Sequence, residues 1–149
     1  MIKVIDVYPY KKVNGGYRFL ILKRSGDRPY AGQWRMVGGK VRRDEKAWQA
    51  ALRELREETG ATPRMFWTIP SLNHFYEHST DQILLIPAFA AELQPRCEIR
   101  LDGEHTEFQW IEYPEVQHYI YWPEQQRLIT LIHSILTKQE PLDDWKIAL

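Results

Sequence analysis

Four glutamates and one arginine occur close together in one short segment of the chain: Glu45, Arg53, Glu54, Glu57 and Glu58. On a helix, Glu54, Glu57 and Glu58 would share one face because they are spaced by three and four residues. Like charges at this spacing repel each other unless a cation neutralises them. Mg²⁺, or Mn²⁺ as the alternative, binds carboxylate oxygens together with substrate phosphates. The spacing therefore predicts a divalent-metal site that holds a polyphosphate.

The element that must position these side chains is a helix predicted from Asp44 to Thr59. Asp44 is expected to cap its N-terminus, Glu45 to lie in its first turn, and Gly60 to end it with a positive φ. We expect Arg53 to lie on another side of the helix from the glutamates and to hold Glu45 or the preceding loop by hydrogen bonds. An apolar stripe at helical spacing flanks the glutamates, which should place them in a groove beside the core: Ala47, Trp48, Ala51, Leu52 and Leu55.

Glycines at both ends complete a fixed pattern over residues 39–61: Gly39, Glu45, Arg53-Glu54-Leu55, Glu57-Glu58 and Gly60. A solvated helix face held by salt bridges is the alternative, but it does not require this pattern. The pattern resembles the Nudix box of the Nudix (MutT-like) hydrolases. The resemblance implies an α+β fold, an α/β/α sandwich with a mixed β-sheet between helices. The metal ligands expected on this basis are Glu54, Glu57, Glu58 and the Gly39 carbonyl.

A second stretch of resemblance lies near the C-terminus. Residues 103–111, which read Gly-Glu-His-Thr-Glu-Phe-Gln-Trp-Ile, and residues 122–127 are similar to the dihydroneopterin triphosphate pyrophosphatase branch of the family. Val37, just before the glycine pair, also fits that branch. In the family, a glutamate in a late loop often serves as metal ligand or general base. Glu104 is therefore a candidate base, and an exposed loop glutamate is the alternative.

Five further residues are candidates for binding the substrate. Arg24 could clamp a phosphate and Lys40 could approach one, although each could equally be a solvated surface charge. Trp34, Phe75 and Tyr76 could stack on a heterocycle, with packing in the core as the alternative. A tyrosine at a similar distance from the box is also used by dinucleoside polyphosphate hydrolases in the family, which makes Tyr76 ambiguous.

Composition limits the class of protein. The chain has 149 residues, 44% of them apolar, which fits one domain over residues 1–149. A formal net charge of +0 argues against a long nucleic-acid partner. The single cysteine, Cys97, fits a reducing compartment, and no signal peptide or membrane-spanning run is evident. We expect a cytoplasmic protein without a membrane partner, and the apolar tail leaves a homodimer open.

The remaining elements follow from periodicity and turn residues. Extended segments are predicted at 2–10, 17–24, 34–37, 66–76, 82–91 and 107–111, with a hairpin turn at 13–16 and a loop at 25–33. Pro114 should start a short helix that ends near Tyr119, and Pro123 a longer one. The segment 139–149 is predicted to be a tail in which Leu142, Trp145 and Leu149 dock on the body or on a partner.

Together these features predict a Mg²⁺-dependent pyrophosphohydrolase. Its substrate would be a nucleoside triphosphate-like, X-linked diphosphate, such as dihydroneopterin triphosphate or a dNTP, cleaved to a monophosphate and pyrophosphate. Glu104 or a box glutamate would take the proton from water. The alternatives are a dinucleoside polyphosphate or oxidised-purine nucleotide hydrolase and, less favoured, a non-catalytic nucleotide-binding module. The histidines lack metal-site spacing, so zinc is not expected.

Overall fold

The computed structural model describes residues 1–138 and 140–149. Its strands are β1 (Val4–Val13), β2 (Gly16–Arg24), β3 (Trp34–Arg35), β4 (Val37–Lys40), β5 (Met65–Glu77), β6 (Gln82–Glu92) and β7 (His105–Glu112). Its helices are α1 (Ala47–Thr59), α2 (Val116–Tyr119) and α3 (Pro123–Lys138), with 3₁₀ turns at Tyr113–Glu115 and Asp143–Trp145. Among these described helices, none has both the length and the apolar character needed to cross a membrane.

The seven strands of the described residues form one mixed sheet, in which five strands follow the order β3-β2-β1-β6-β5 and β4 and β7 lie off this path. Strand β1 pairs in parallel with β6, whereas its pairings with β2 and β4 are antiparallel. Strand β7 pairs with β2. The predicted extended segments all fall on these strands. The segment at 34–37 is split into β3 and β4 because the chain leaves β2 to pair with β1.

Helices cover both faces of the sheet. Along β1, Ile5 and Val7 face a core that includes Leu55 of α1, while Tyr8 faces a second core that includes Leu128 of α3. This alternation follows from the two-residue period of a strand. Burial of each large apolar side chain contributes about 1.5–3 kcal/mol. The predicted α+β class and α/β/α sandwich are confirmed.

Helix α1 begins later than the sequence indicated. It starts at Ala47 with Lys46 as the N-cap residue, so the prediction that Asp44 caps the helix and Glu45 lies in its first turn is wrong. The side chain of Gln49 reaches back and accepts a hydrogen bond from the Lys46 N–H at 2.9 Å. Residue 45 is kept out of the helix because its carboxylate is engaged elsewhere, as described below. The predicted end is confirmed, since Gly60 has a φ of 75°.

The C-terminal tail packs on the sheet in part. The ring of Trp145 stacks on Trp67 at 6.3 Å, and the Ile147 N–H donates to the Phe66 carbonyl at 2.8 Å. Leu142 and Leu149 remain 49% and 64% exposed. Docking by Trp145 was therefore predicted correctly and docking of the two leucines on the body was not. Gln139, the first residue of the predicted tail, lies outside the described residues.

Candidate active site

A cleft of about 690 Å³ opens beside the N-terminal part of β1. Acidic and basic side chains are interleaved along it: Asp6, Arg24, Arg28, Arg35, Lys40, Glu54, Glu77 and Glu104. Two of the lining residues, Glu54 and Glu104, lie close to the buried Glu58, and Glu57 precedes Glu58 on α1; we call these four residues the glutamate end. A phosphate-bearing ligand would be attracted by the cations and repelled by the carboxylates. The mixture therefore suits an anion that arrives with a divalent cation.

Arg53 joins helix α1 to the loop and strand before it. Its Nε donates to Glu45 Oε2 at 2.7 Å, and its Nη2 donates to Glu45 Oε1 and to the Lys40 carbonyl, both at 2.9 Å. These hydrogen bonds lower the pKa of Glu45 to about 2, and they raise the pKa of Arg53. The hydrogen bonds expected between Arg53 and Glu45 are thus present, and they tie α1 to β4.

The same guanidinium also contacts the glutamates that it was expected to avoid. Its Nη1 donates to Glu54 Oε1 at 2.8 Å and to Glu57 Oε2 at 3.2 Å. The prediction that Arg53 lies on another side of the helix is wrong because its long side chain bends across the turn to residues one and four positions on. Glu57 also lies 3.5 Å from Arg42 and is 47% exposed. Arginine therefore balances part of the charge at this end.

Glu58 is in a different position. Its side chain is 1% exposed, and neither carboxylate oxygen has a hydrogen-bond partner within the part of the chain that the structure describes. Burial raises the pKa of Glu58 well above its usual value, and the nearby carboxylates of Glu54, Asp102 and Glu104 raise this pKa further. A buried carboxylate is expensive unless a cation or a proton satisfies it. Glu58 is therefore a carboxylate that lacks its counter-charge.

A buried histidine faces this carboxylate. His105 Nε2 lies 3.6 Å from Glu58 Oε1, and His105 Nδ1 lies 3.0 Å from Asp102 Oδ1. The contact with Asp102 fixes the orientation of the ring. Sequence reasoning did not find this histidine, because its contact with Glu58 joins segments that are far apart in the chain. The only local signal was the three-residue spacing of Asp102 and His105.

Gly39 brings the backbone of β4 against helix α1. A Cβ atom at this position would overlap the side chain of Glu54, so the present position of that carboxylate requires a glycine here. Among the described residues, no three acidic, histidine or cysteine side chains already converge as a metal-binding group, since Glu54 and Glu57 turn to Arg53. The donor set still fits a hard cation. It consists of carboxylate and carbonyl oxygens, and both oxygens of Glu58 lack partners.

Other predicted residues divide into two groups. Those that line the cleft are Arg24, Lys40, Phe75 and Glu104. The Arg24 Nε donates to the Pro29 carbonyl at 3.3 Å, which orders the loop beside the cleft. Glu104 Oε1 lies 3.6 Å from Arg28. Arg28 was not identified from the sequence, because a charge in a loop carries no periodic signal.

Trp34 and Tyr76 lie away from the cleft lining. The Trp34 ring packs edge-on against Tyr119 at 5.9 Å, beside the core under α3. Tyr76 follows Phe75 on β5, so its side chain points to the opposite face of the sheet, where it is 59% exposed and donates to Asp81 at 2.8 Å. The structure therefore brings only Phe75 of the predicted aromatic residues to the cleft.

Deeper in the cleft lies a set of buried polar side chains that the sequence did not reveal. Asp6 Oδ2 accepts hydrogen bonds from Asn73 Nδ2 at 2.8 Å, the Tyr8 hydroxyl at 3.1 Å and Gln125 Nε2 at 3.4 Å. We call Asp6, Asn73 and Gln125 the polar floor. Burial raises the pKa of Asp6, whereas the Asn73 hydrogen bond and the Arg35 charge oppose this shift. The three residues come from β1, β5 and α3, so no local pattern marks them.

Aromatic rings border the polar floor. Trp122 packs against Phe75 at 5.8 Å and edge-on against Tyr30 at 5.3 Å. The Arg35 guanidinium lies 4.6 Å from the Tyr30 ring and 4.8 Å from the Trp122 ring. These contacts hold the Arg35 guanidinium over the two aromatic rings beside the polar floor.

Comparison with known proteins agrees with this architecture. The chain is 31% identical over 104 residues to an octanoyltransferase of Myxococcus xanthus, a match that covers 65% of this chain but only 27% of that protein. It is 26% identical over 121 residues to the nucleoside triphosphatase NudI of Escherichia coli, covering 76% of this chain and 84% of the relative.

Solved structures and family models extend the comparison. The crystal structure of a Caenorhabditis elegans Ap4A hydrolase binary complex superposes with a TM-score of 0.74 at 23% identity, covering 91% of this chain and 99% of that one. At this identity the likeness shows the fold alone. The family model of the NUDIX domain matches residues 7–132, which is most of the chain. The protein therefore belongs to the Nudix family and is a Nudix hydrolase.

Proposed function

We propose that residues 1–149 act as one domain, a metal-dependent pyrophosphohydrolase. The substrate would be a nucleoside triphosphate-like, X-linked diphosphate, released as a monophosphate and pyrophosphate. The observation that carries the proposal is Glu58, a buried carboxylate whose two oxygens have no hydrogen-bond partner among the described residues. It lies beside Glu54 and Glu104, which line a cleft that also contains cationic side chains. The nucleoside triphosphatase activity in the name of NudI supports the same reaction class.

The glutamate end offers groups for both the cation and the phosphates. Glu54, Glu57, Glu58 and the Gly39 carbonyl would hold Mg²⁺, or Mn²⁺ as the alternative. When bound, the ion would neutralise phosphate charge and lower the pKa of a bound water. Arg24, Arg28 and Lys40 line the same cleft and would bind phosphate oxygens that the cation leaves free.

Glu104 is the proposed general base. Its carboxylate lines the cleft, and its side chain is 37% exposed, so a water molecule can reach it. The water oxygen would bond to one phosphorus while the P–O bond of the anhydride breaks, and the proton would pass to Glu104. The bridging oxygen would leave on the pyrophosphate. Positioned charges would supply most of the rate enhancement.

The proposal is tested by incubating the protein with a panel of nucleoside triphosphates, oxidised purine nucleoside triphosphates, dihydroneopterin triphosphate and Ap4A, with Mg²⁺ or with EDTA. We expect Mg²⁺-dependent release of pyrophosphate from at least one triphosphate. Release of two nucleotides from Ap4A, with the triphosphates untouched, would favour a dinucleoside polyphosphate hydrolase. Turnover confined to oxidised purine nucleotides would favour an oxidised-purine nucleotide hydrolase. Nucleotide binding without turnover of any substrate would indicate a non-catalytic module and would contradict the proposal.

A further inference from the structure

The polar floor has hydrogen-bonding capacity that the protein itself leaves unused. Asp6 is 7% exposed and Asn73 is 6% exposed, and both line the cleft. Neither Asp6 Oδ1 nor Asn73 Oδ1 accepts a hydrogen bond from the residues that the structure describes, and neither atom is sealed from solvent. Buried polar atoms in a folded protein normally find a partner. These two oxygens are therefore available to a ligand in the cleft.

The orientation of the floor follows from its hydrogen bonds. Three donors converge on Asp6 Oδ2, which fixes this oxygen as an acceptor and leaves Oδ1 as the oxygen that a ligand can reach. The amide of Asn73 must point its nitrogen at this carboxylate, so its oxygen is the group left over. Gln125 is fixed in the same way, because its Oε1 faces the Met36 N–H at 3.4 Å. The floor thus presents Asn73 Oδ1 as a fixed acceptor, because the amide cannot reverse without breaking this network, and the ionised Asp6 carboxylate presents Oδ1 as a second acceptor.

Two features keep these acceptors open and pair them with a donor. Gly38 lies beside Asp6, where a Cβ would come within 3.3 Å of Oδ1, so the glycine leaves that oxygen uncovered. Arg35 lies near enough to Asp6 for its charge to oppose the rise in the pKa of that carboxyl. The Arg35 guanidinium, held beside Tyr30 and Trp122, can only donate. The deep end of the cleft therefore combines two acceptors with a cationic donor.

We propose that Asp6, Asn73 and Arg35 select a heterocycle with a 2-amino-4-oxopyrimidine edge, the edge that guanine and pterins share. This edge presents an amino group, a ring N–H and a carbonyl oxygen side by side. The amino group and the N–H would donate to Asp6 and Asn73, and the carbonyl would accept from Arg35. Phe75 lines the cleft beside the floor and would pack against the ring. The inference rests on the proposed function, because it names the X group of that substrate.

Other bases match the same groups less well. Adenine and cytosine place an acceptor nitrogen next to their amino group, and this nitrogen would face an acceptor of the floor. Uracil and thymine have one N–H between two carbonyls and lack an amino group. Hypoxanthine differs from guanine only by the missing amino group, so it gives the sharpest comparison.

The test is equilibrium binding of dGMP and dIMP to the whole protein, measured by calorimetry in EDTA. We expect dGMP to bind roughly tenfold to hundredfold more tightly, the range for a hydrogen bond to a charged group. Neopterin monophosphate should also bind more tightly than dIMP, and its affinity relative to dGMP shows whether the site prefers a pterin or a purine. Equal affinities for dGMP and dIMP, or no dGMP binding at millimolar concentration, would overturn the inference.

A substitution at Asp6 tests whether this residue causes the preference for dGMP over dIMP. Asp6→Asn puts an amide donor where the carboxylate accepts, so the preference for dGMP over dIMP should fall to roughly threefold or less. Asp144→Asn is the matched control, since Asp144 is exposed and outside the cleft lining, and it should keep the full preference. A preference that survives Asp6→Asn in folded protein would overturn the assignment. The wild-type comparison does not depend on the folding of this variant.

The two proposals can fail separately. Binding in EDTA needs neither metal nor chemistry, so loss of the proposed hydrolysis would not change the ratio of the two affinities. Conversely, a protein that hydrolyses triphosphates but binds dGMP and dIMP equally would keep the proposed function and lose this inference.

Discussion

The glutamate end and the polar floor are built from carboxylates in opposite ways. At the floor, the Asp6 carboxylate is stabilised by three donors that come from segments as far as 67 and 119 residues away in the chain. At the glutamate end, Glu58 is equally buried but has no such donors among the described residues. The protein itself supplies the donors that Asp6 Oδ2 needs, and it leaves Asp6 Oδ1 and Asn73 Oδ1 to a ligand, whereas the glutamate end needs a cation from outside. A neutral heterocycle fits the first environment and a metal-bound polyphosphate fits the second.

The largest effect is expected for substitution of Glu58, the buried carboxylate without a hydrogen-bond donor among the described residues. Glu58→Gln should lower kcat by roughly 10³-fold or more, because a carboxamide cannot neutralise a cation. The melting temperature should stay the same or rise, since an uncompensated buried charge is removed. Kinetics and thermal unfolding of the same preparation measure both. Glu98→Gln, an exposed glutamate outside the cleft lining, is the matched control. A kcat for Glu58→Gln within threefold of wild type would remove the distinction between the two ends.

The next effect concerns the proposed base. Glu104→Gln should lower kcat by about 10²- to 10⁴-fold with little change in KM, because the lost group acts on the water and not on substrate binding. Glu107→Gln is a suitable control, since Glu107 pairs with Lys23 on the surface. Steady-state kinetics at saturating Mg²⁺ provides the comparison. Full activity of Glu104→Gln would show that a group other than Glu104 accepts the proton from the attacking water.

The substitution Gly39→Ala should affect the glutamate end of the cleft and leave the polar floor unchanged. In Gly39→Ala the added Cβ would push the Glu54 side chain aside, which should lower kcat by roughly tenfold to hundredfold. The ratio of dGMP to dIMP affinity should be unchanged, because the atoms nearest to the added Cβ all belong to Glu54 and not to Asp6 or Asn73. Kinetics together with calorimetry tests this independence. A parallel loss of base preference would show that the two ends are coupled.

The smallest effect is a pH-dependent contribution to stability. Arg53 lowers the pKa of Glu45 from a usual value of 4.5 to about 2, so the ionised carboxylate stabilises the fold above pH 4.5. This contribution is lost as the pH falls toward 2. Glu45→Gln should therefore lower the melting temperature at pH 7 by roughly 2–5 °C. The difference from wild type should shrink between pH 5 and about pH 3 in thermal melts. A constant difference across that range would contradict the role given to Arg53.

The two ends also differ in how far the sequence could predict them. Spacing was enough to place Glu54, Glu57 and Glu58 on one helix, and turn chemistry was enough to end that helix at Gly60. The start of α1 was predicted wrongly because capping propensity favours Asp44, whereas the tertiary bond from Arg53 to Glu45 decides the boundary. Local rules therefore predict which residues gather on a helix better than they predict the long-range contacts of those residues.

Contacts between distant segments were beyond sequence reasoning. Asp6 lies in an apolar strand, and nothing nearby in the chain indicates that Asn73 and Gln125 will meet it. The same holds for the approach of His105 to Glu58. For the aromatic residues, side-chain alternation on β5 sends Phe75 into the cleft and Tyr76 away from it, and the sequence alone does not say which face is which.

Pyrophosphate release from dGTP, measured for the wild-type and Glu58→Gln proteins with Mg²⁺ and with EDTA, tests directly whether Glu58 serves a metal-dependent hydrolysis. We expect the wild-type protein to release pyrophosphate only when Mg²⁺ is present. Folded Glu58→Gln protein should show a rate at least about 10³-fold lower at the same metal concentration. Equal rates for the two proteins, or wild-type turnover that persists in EDTA, would contradict this role of Glu58.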